Sequence, residues 1–397
     1  MSNHLQELLD KEGRYFFHTY KRLHLDIVRG EGVYLIDREG KRYLDFFGGL
    51  AVNALGYGHP AVLAAIHAQA DRYLHLSNYY LQEPQILLAE RLIRTTGYAK
   101  IFLSNSGTEA MEGAIKLARK WGKPQHKTTL LSLTNSFHGR TMGALTLTQR
   151  PKYREGYDPM LPNISHVGFN DVAALTRSVD ASTLGIVLEF IQGEGGIFPV
   201  SREFAEALQE LRLKYQFLII ADEIQCGIGR TGTFFGFEHS GIHPDIVVIA
   251  KAIGGGLPLG AILGNSRVAD TFGVGEHGTT FGGNPVACAA GIAVMEQVVD
   301  GKLMEQAGRT GEYLLQAFRA MQEEFPGVIK EVRGRGCMIG VDLSREGQPI
   351  VDELQRRGIL VNCTNTTVLR MLPPYIVTRE ECDRVVASLR ELLGGAS

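Results

Sequence analysis

The chain has no surplus of charge of either sign: its 397 residues include 41 Lys and Arg against 43 Asp and Glu, a formal net charge of −2. Without a basic excess there is no electrostatic footprint for nucleic acid or an anionic membrane surface. Long hydrophobic runs are missing too. The longest apolar or small stretch, Ala252 to Gly264, is rich in glycine and falls short of the ~20 residues a membrane-spanning helix needs. Met1 to Arg22 mixes Glu7, Asp10 and Glu12 with basic groups and contains no apolar leader core, so a cytoplasmic protein is expected. Cysteine is sparse. The five thiols, Cys226, Cys288, Cys337, Cys363 and Cys382, are odd in number and form no Cys-x-x-Cys pair, which disfavours a disulfide framework and a zinc site alike. Repeats, low-complexity tracts and Ser/Pro linkers are also lacking. What is present is an ordinary globular composition, 44% hydrophobic and 21% charged. At about 150 residues per domain the chain suffices for two or three domains.

Residues 32 to 45 read as two short strands about a turn from Asp37 to Gly40, a small N-terminal β-hairpin. From Pro60 the apolar spacing turns helical, and helices then alternate with short β-rich runs. Those runs are Lys100 to Leu103, Thr129 to Leu133, Gly185 to Glu189, Phe217 to Ile220, Asp245 to Ile249 and Gly260 to Leu263. Several are continuously apolar, as strands buried on both faces of a mainly parallel sheet must be, so the central stretch is α/β. Beyond Asn284 a helical region runs to about Glu324. Candidate strands at 329–332, 338–342 and 358–361 and a helix from Arg379 to Leu393 form a smaller C-terminal α/β unit.

Four segments carry candidate chemistry. Ser104-Asn-Ser-Gly-Thr-Glu109 opens an amphipathic helix with small residues, so its free amides and positive dipole end offer a seat for a phosphate. A plain Ser106 or Ser104 cap completed by Glu109 explains the same letters. Asp222 and Glu223 directly follow a buried strand, at the carboxyl edge where open α/β sheets bind ligands. A nucleotide-hydrolase reading of that acid fails, because none of the Gly-Lys pairs starting at Gly40, Gly122 and Gly301 is followed by Ser or Thr. Gly227-Ile-Gly-Arg-Thr-Gly232 matches a dinucleotide fingerprint by letter, but no clear helix follows it, and it reads as a turn-rich coincidence. Lys251 ends the next strand; it is either an ion-pair partner for an acid such as Asp222 or a Schiff-base lysine. With the aromatic and basic residues of Phe137-His-Gly-Arg140, these are the parts needed to hold pyridoxal 5′-phosphate.

In this order and spacing the chain resembles the class III, fold type I aminotransferases, from about Val33 to Leu392, and within them the acetylornithine aminotransferases. The resemblance is carried by Asp45-Phe-Phe-Gly-Gly-Leu-Ala-Val-Asn53, Gly58-His-Pro60, Ser104 to Glu109, Phe137 to Thr141, Ile191-Gln-Gly-Glu-Gly-Gly196, Asp222-Glu-Ile-Gln225, Gly229 to Gly232, Pro244 to Ile246, Ala250-Lys251, Gly278 to Pro285 and Val368-Leu-Arg370. It departs at Phe190, where relatives usually have Pro, and at Cys226, where they often have Thr.

The resemblance implies a role for each matching residue. Lys251 would bind the cofactor covalently, Asp222 would pair with its ring nitrogen and Gln225 would bond its ring hydroxyl. Gly107 and Thr108 would hold its phosphate, with Thr280 from the other subunit of a homodimer, and Phe137 would stack on the ring. Arg140 would bind the substrate α-carboxylate and Thr279 would touch substrate from the partner chain. Glu194 would pair with Arg370 while the amino donor is bound, then free it for the second carboxylate of 2-oxoglutarate. No metal is implied. The implied activity is transfer of the terminal amino group of N2-acetylornithine to 2-oxoglutarate, in arginine biosynthesis. The implied division is an N-terminal segment, 1–55, packing with the small domain; a large cofactor domain, 56–284; and a linking helix with the small domain, 285–397.

Overall fold

The computed structural model describes residues 3–395. Its centre is a seven-stranded sheet in the order Lys100–Ser104, Gly260–Gly264, Ile246–Ile249, Leu218–Asp222, Thr183–Leu188, Thr129–Leu133, Ile164–Val167. Gly260–Gly264 runs antiparallel to both neighbours, and every other pairing is parallel. All the sheet strands read from the sequence are present. The edge strand Ile164–Val167, which carries the polar Ser165 and His166, gave too little apolar signal to be read.

Strand alternation divides the apolar residues between the two faces. Leu130, Ile220, Val248 and Ile262 pack against the helix Gly107–Gly122. Leu131, Ile219, Ala221, Val247 and Ile249 face the larger core on the other side. At about 25 cal/mol per Å² of apolar surface, this two-sided burial is the main favourable term holding the strand ends in place.

A second core lies around a four-stranded antiparallel sheet, Ile329–Arg335, Met338–Leu343, Val368–Met371 and Asn362–Thr364, covered by the helices Leu303–Glu324 and Arg379–Gly394. The sequence reading missed two of these strands and the helix Gln348–Arg356, whose register depends on pairing rather than on local pattern. The long helical region is two helices, Pro285–Met295 and Leu303–Glu324, separated by a wider turn and by Lys302 at φ 59°. Leu303–Glu324 belongs to both cores, with Ala307 in the first and Leu314, Phe318 and Met321 in the second.

The N-terminal hairpin is Tyr34–Asp37 and Arg42–Asp45. Arg42–Asp45 pairs in parallel with Ile359–Leu360, and Val33, Leu44 and Phe46 enter the second core. Among the described residues, no helix is long and apolar enough to cross a membrane, and no group of three or more His, Cys, Asp and Glu is placed to hold a metal ion.

Candidate active site

Parallel register brings the key residues to one edge. Asp222 lies opposite Val248, so Lys251, three residues further on, emerges from the neighbouring strand on the same side as Asp222. Ser104 ends its own strand at this edge, opposite Gly260, and the helix Gly107–Gly122 starts just beyond it. Gly107, Thr108, Phe137, Arg140, Asp222, Gln225 and Lys251 all line one cavity of about 620 Å³.

Asp222 is 3% exposed. Its Oδ1 accepts the Ile224 amide at 3.1 Å, and its Oδ2 accepts from His138 Nδ1 at 2.7 Å. A carboxylate only accepts, so the His138 ring proton sits on Nδ1. Lys251 does not pair with Asp222, and its amine makes no hydrogen bond or ion pair among the described residues. Burial, and then the nearby Arg370 charge, push its pKa down against the pull of Glu194, Asp222 and Glu189. The backbone of Lys251 is left-handed, φ 52°, an unfavourable conformation for a non-glycine residue that recurs where side chains are held for function.

At the helix start the serine cap is present, and two amides beside it remain open. Ser106 Oγ accepts the Glu109 amide at 3.3 Å, while Glu109 reaches back to the Asn105 amide at 2.8 Å. The amides of Gly107 and Thr108 are left with no hydrogen-bond partner among the described residues. A Cβ at 107 would stand 2.6 Å from Ile224 Cδ1, so a larger residue there would need Ile224 to move. Thr108 Oγ1 accepts the amides of Arg140 and Thr141, each at 3.2 Å, and so ties the helix start to the Phe137–Thr141 loop.

Arg140 has no carboxylate partner among the described residues; its guanidinium carbon lies 4.1 Å from the Tyr153 ring centroid and 5.5 Å from that of Phe137. Arg370, 1% exposed, donates to Glu194 Oε1 at 2.6 Å, to Asn362 Oδ1 at 3.0 Å and to Gln225 Oε1 at 3.3 Å. The Arg370 charge lowers the pKa of Glu194 against the effect of burial. The two threonines lie outside the cavity lining. Thr279 Oγ1 accepts from Asn105 Nδ2 at 3.1 Å, and Thr280 is exposed.

Three residues that the sequence reading passed over also belong here. His138 was visible within Phe137-His-Gly-Arg140, but nothing local reveals its bond to Asp222. Glu189 accepts the amides of Phe137 at 3.0 Å and Gly193 at 2.9 Å, fixing the aromatic's backbone, and burial pushes its carboxyl up to about 7. Tyr20 lines the cavity from a stretch with no regular structure, so periodicity could not find it. The Gly227–Gly232 segment is a run of turns with no helix opening from it. It packs against the C-terminal unit, with Arg230 donating to the carbonyls of Cys337 and Pro373 at 3.2 and 2.5 Å. Phe190 and Cys226 also lie off the cavity, Phe190 against Phe237 at 6.0 Å between centroids and Cys226 with its Sγ donating to Glu223 Oε2 at 3.3 Å.

Glu223 is buried, accepts the amides of Gly236 and Phe237 at 2.7 and 2.9 Å, and has its pKa pushed up to about 8, chiefly by burial. The native state therefore binds a proton that the unfolded chain releases above the usual 4.5. Its stabilising contribution is complete below that value and is lost as pH rises to about 8. Melting temperature should fall across this window, and Glu223→Gln should flatten the fall; an unchanged slope in the variant would count against this assignment.

The donor set fits pyridoxal 5′-phosphate: an unpaired buried amine for its aldehyde, a buried carboxylate without a cationic lysine or arginine partner for its ring nitrogen, and two free amides for its phosphate. The model of the class-III aminotransferases matches residues 15–393. An acetylornithine aminotransferase from Aquifex aeolicus is 43% identical over 384 residues, covering 96% of this chain and 100% of its own. Among solved structures, an ornithine aminotransferase from Toxoplasma gondii superposes with a TM-score of 0.94 at 29% identity, covering 99% of this chain and 95% of that one. An acetylornithine aminotransferase from Elizabethkingia anophelis gives 0.89 at 30%, covering 99% and 100%. The chain belongs to the class-III aminotransferases. It has their type I fold, and its cofactor is pyridoxal 5′-phosphate.

Proposed function

We propose that this enzyme transfers the terminal amino group of N2-acetylornithine to 2-oxoglutarate, giving N-acetylglutamate 5-semialdehyde and glutamate in arginine biosynthesis. The observation that carries the reading is the convergence of Lys251, Asp222 and Arg140 on one cavity with the Glu194–Arg370 pair behind it. The full-length identity to acetylornithine aminotransferases supports this donor.

Pyridoxal 5′-phosphate, when bound, supplies an aldehyde that takes up the amino group and a ring that withdraws the electrons left when a proton departs. Lys251, whose buried amine has no other partner among the described residues, would hold it and would serve as the general base and acid that moves the proton. A lowered pKa keeps that amine able to accept the proton. Asp222, oriented by His138, would keep the ring nitrogen protonated. Gly107 and Thr108 would take the phosphate together with Thr280 of a second copy, Phe137 would cover the ring, and Gln225 would bond the ring hydroxyl. Arg140 grips the α-carboxylate that donor and acceptor share, and Thr279 of the second copy completes the substrate wall. The exposed positions of both threonine neighbours, Thr280 and Phe281, suit such a dimer. A cytoplasmic homodimer with the three-part division given above accords with this reading.

Across a panel of N2-acetylornithine, ornithine, succinylornithine, N-succinyl-diaminopimelate and 4-aminobutyrate with 2-oxoglutarate, kcat/KM should be highest for N2-acetylornithine. A tenfold preference for another donor would replace the substrate assigned here.

A further inference from the structure

Arg150 stands just before the short helix Pro151–Arg154, beside the loop that carries Glu194. Its Nη1 donates to the main-chain carbonyl of Glu194, and Thr364 Oγ1 donates to the same oxygen at 2.7 Å. The backbone of Glu194 is thus held from the large sheet's side and from the small sheet's side, leaving its side chain, 23% exposed, as the part that can turn. Arg370 is different. Asn362 and Gln225 bond it independently of Glu194.

If a ligand carboxylate occupies Arg370, the displaced Glu194 carboxylate needs another cation, because a half-buried unpaired anion is costly. Arg140 is committed to the α-carboxylate, and Lys251 to the cofactor or the migrating proton. Arg150 has no ion-pair partner among the described residues, its Nε and Nη2 make no hydrogen bond there, and its charge already acts on the Glu194 carboxyl. Its guanidinium carbon lies 5.6 Å from the Tyr153 ring centroid, the same ring that braces Arg140.

We propose that Arg150 is the second seat of the Glu194 carboxylate, receiving it whenever the distal carboxylate of the acceptor takes Arg370. This rests on the Glu194–Arg370 reading given above. In the donor state Glu194 pairs with Arg370 and Arg150 keeps only the Glu194 carbonyl and the Tyr153 ring; in the acceptor state both arginines are paired and no anion is stranded. Arg150 is then a positioning residue that touches no substrate and acts only on ligands with a second carboxylate.

The test uses the holoenzyme and two unreactive ligands of equal length, glutarate with two carboxylates and valerate with one, titrated by calorimetry. Arg150→Met should weaken glutarate about tenfold, the worth of one partly buried charge pair, and leave valerate unchanged. Arg150→Lys should restore most of the loss. In a Glu194→Gln background, where no anion needs a second seat, Arg150→Met should change glutarate by less than about twofold. Equal weakening of both ligands, no weakening of either, or an undiminished loss in the Glu194→Gln background would overturn the proposal. Failure of Glu194→Gln alone to tighten glutarate would instead bring down the Glu194–Arg370 reading itself.

Discussion

Lys251→Ala loses transamination by at least about ten-thousand-fold, the upper range for a positioned acid–base group, while the fold survives. The amine holds no other group in place: it makes no hydrogen bond or ion pair among the described residues, so its removal strands no buried partner. Alanine also meets the left-handed backbone at φ 52° with no more strain than lysine does. The strands on either side, Ile246–Ile249 and Gly260–Gly264, owe their burial to apolar side chains that the change leaves alone. Circular dichroism and melting temperature should therefore match the wild type, while borohydride should no longer fix the cofactor to the chain. A variant that keeps a tenth of wild-type turnover would remove Lys251 from the chemistry.

Arg370→Ala and Arg140→Ala separate the two halves of the reaction. Loss of one charge-assisted carboxylate grip costs a few kcal/mol, roughly a hundredfold in kcat/KM. Arg140→Ala should impose that loss on both halves, since donor and acceptor each present an α-carboxylate. Arg370→Ala should impose it on the 2-oxoglutarate half alone, because Glu194 occupies Arg370 in the absence of a second carboxylate. Arg370 is deeply buried and also serves Asn362 and Gln225, so this variant should melt earlier as well. Single-turnover absorbance changes with each substrate read the two halves apart from that loss of stability. Equal losses in both halves for Arg370→Ala would contradict the division of labour.

How much of this was legible in the sequence depended on whether the signal was local. The strands of the central sheet could be read because burial on both faces leaves continuous apolar runs such as Ile246–Ile249. The edge strand Ile164–Val167 and the strand Val368–Met371 could not, since pairing with distant partners decides them. At the site, Asp222, Lys251 and Gly107 announced themselves by standing at or just beyond a strand end or at a helix start. His138, Glu189 and Arg150 act through bonds to residues far off in the chain, to Asp222, Phe137 and Glu194, and only the folded geometry displays those bonds. Glu194 and Arg370 were named through family resemblance rather than spacing. Phe190 and Cys226, marked as departures beside the cofactor segment, turn out to face packing and not the cavity.

The parallel pairing of Arg42–Asp45 with Ile359–Leu360 also sets a timetable for synthesis. Arg42–Asp45 leaves the ribosome long before its partner Ile359–Leu360, and Phe46 waits for a core that includes Leu389 and Leu393. Closing so long a loop costs little more at equilibrium than closing a shorter one, but it comes late in time. The central sheet can assemble while translation continues, whereas the hairpin lacks its partner strand and part of its core until Ile359–Leu360 and the helix Arg379–Gly394 have emerged, and a nascent chain halted before Ile359 would present an unpaired strand edge to its neighbours.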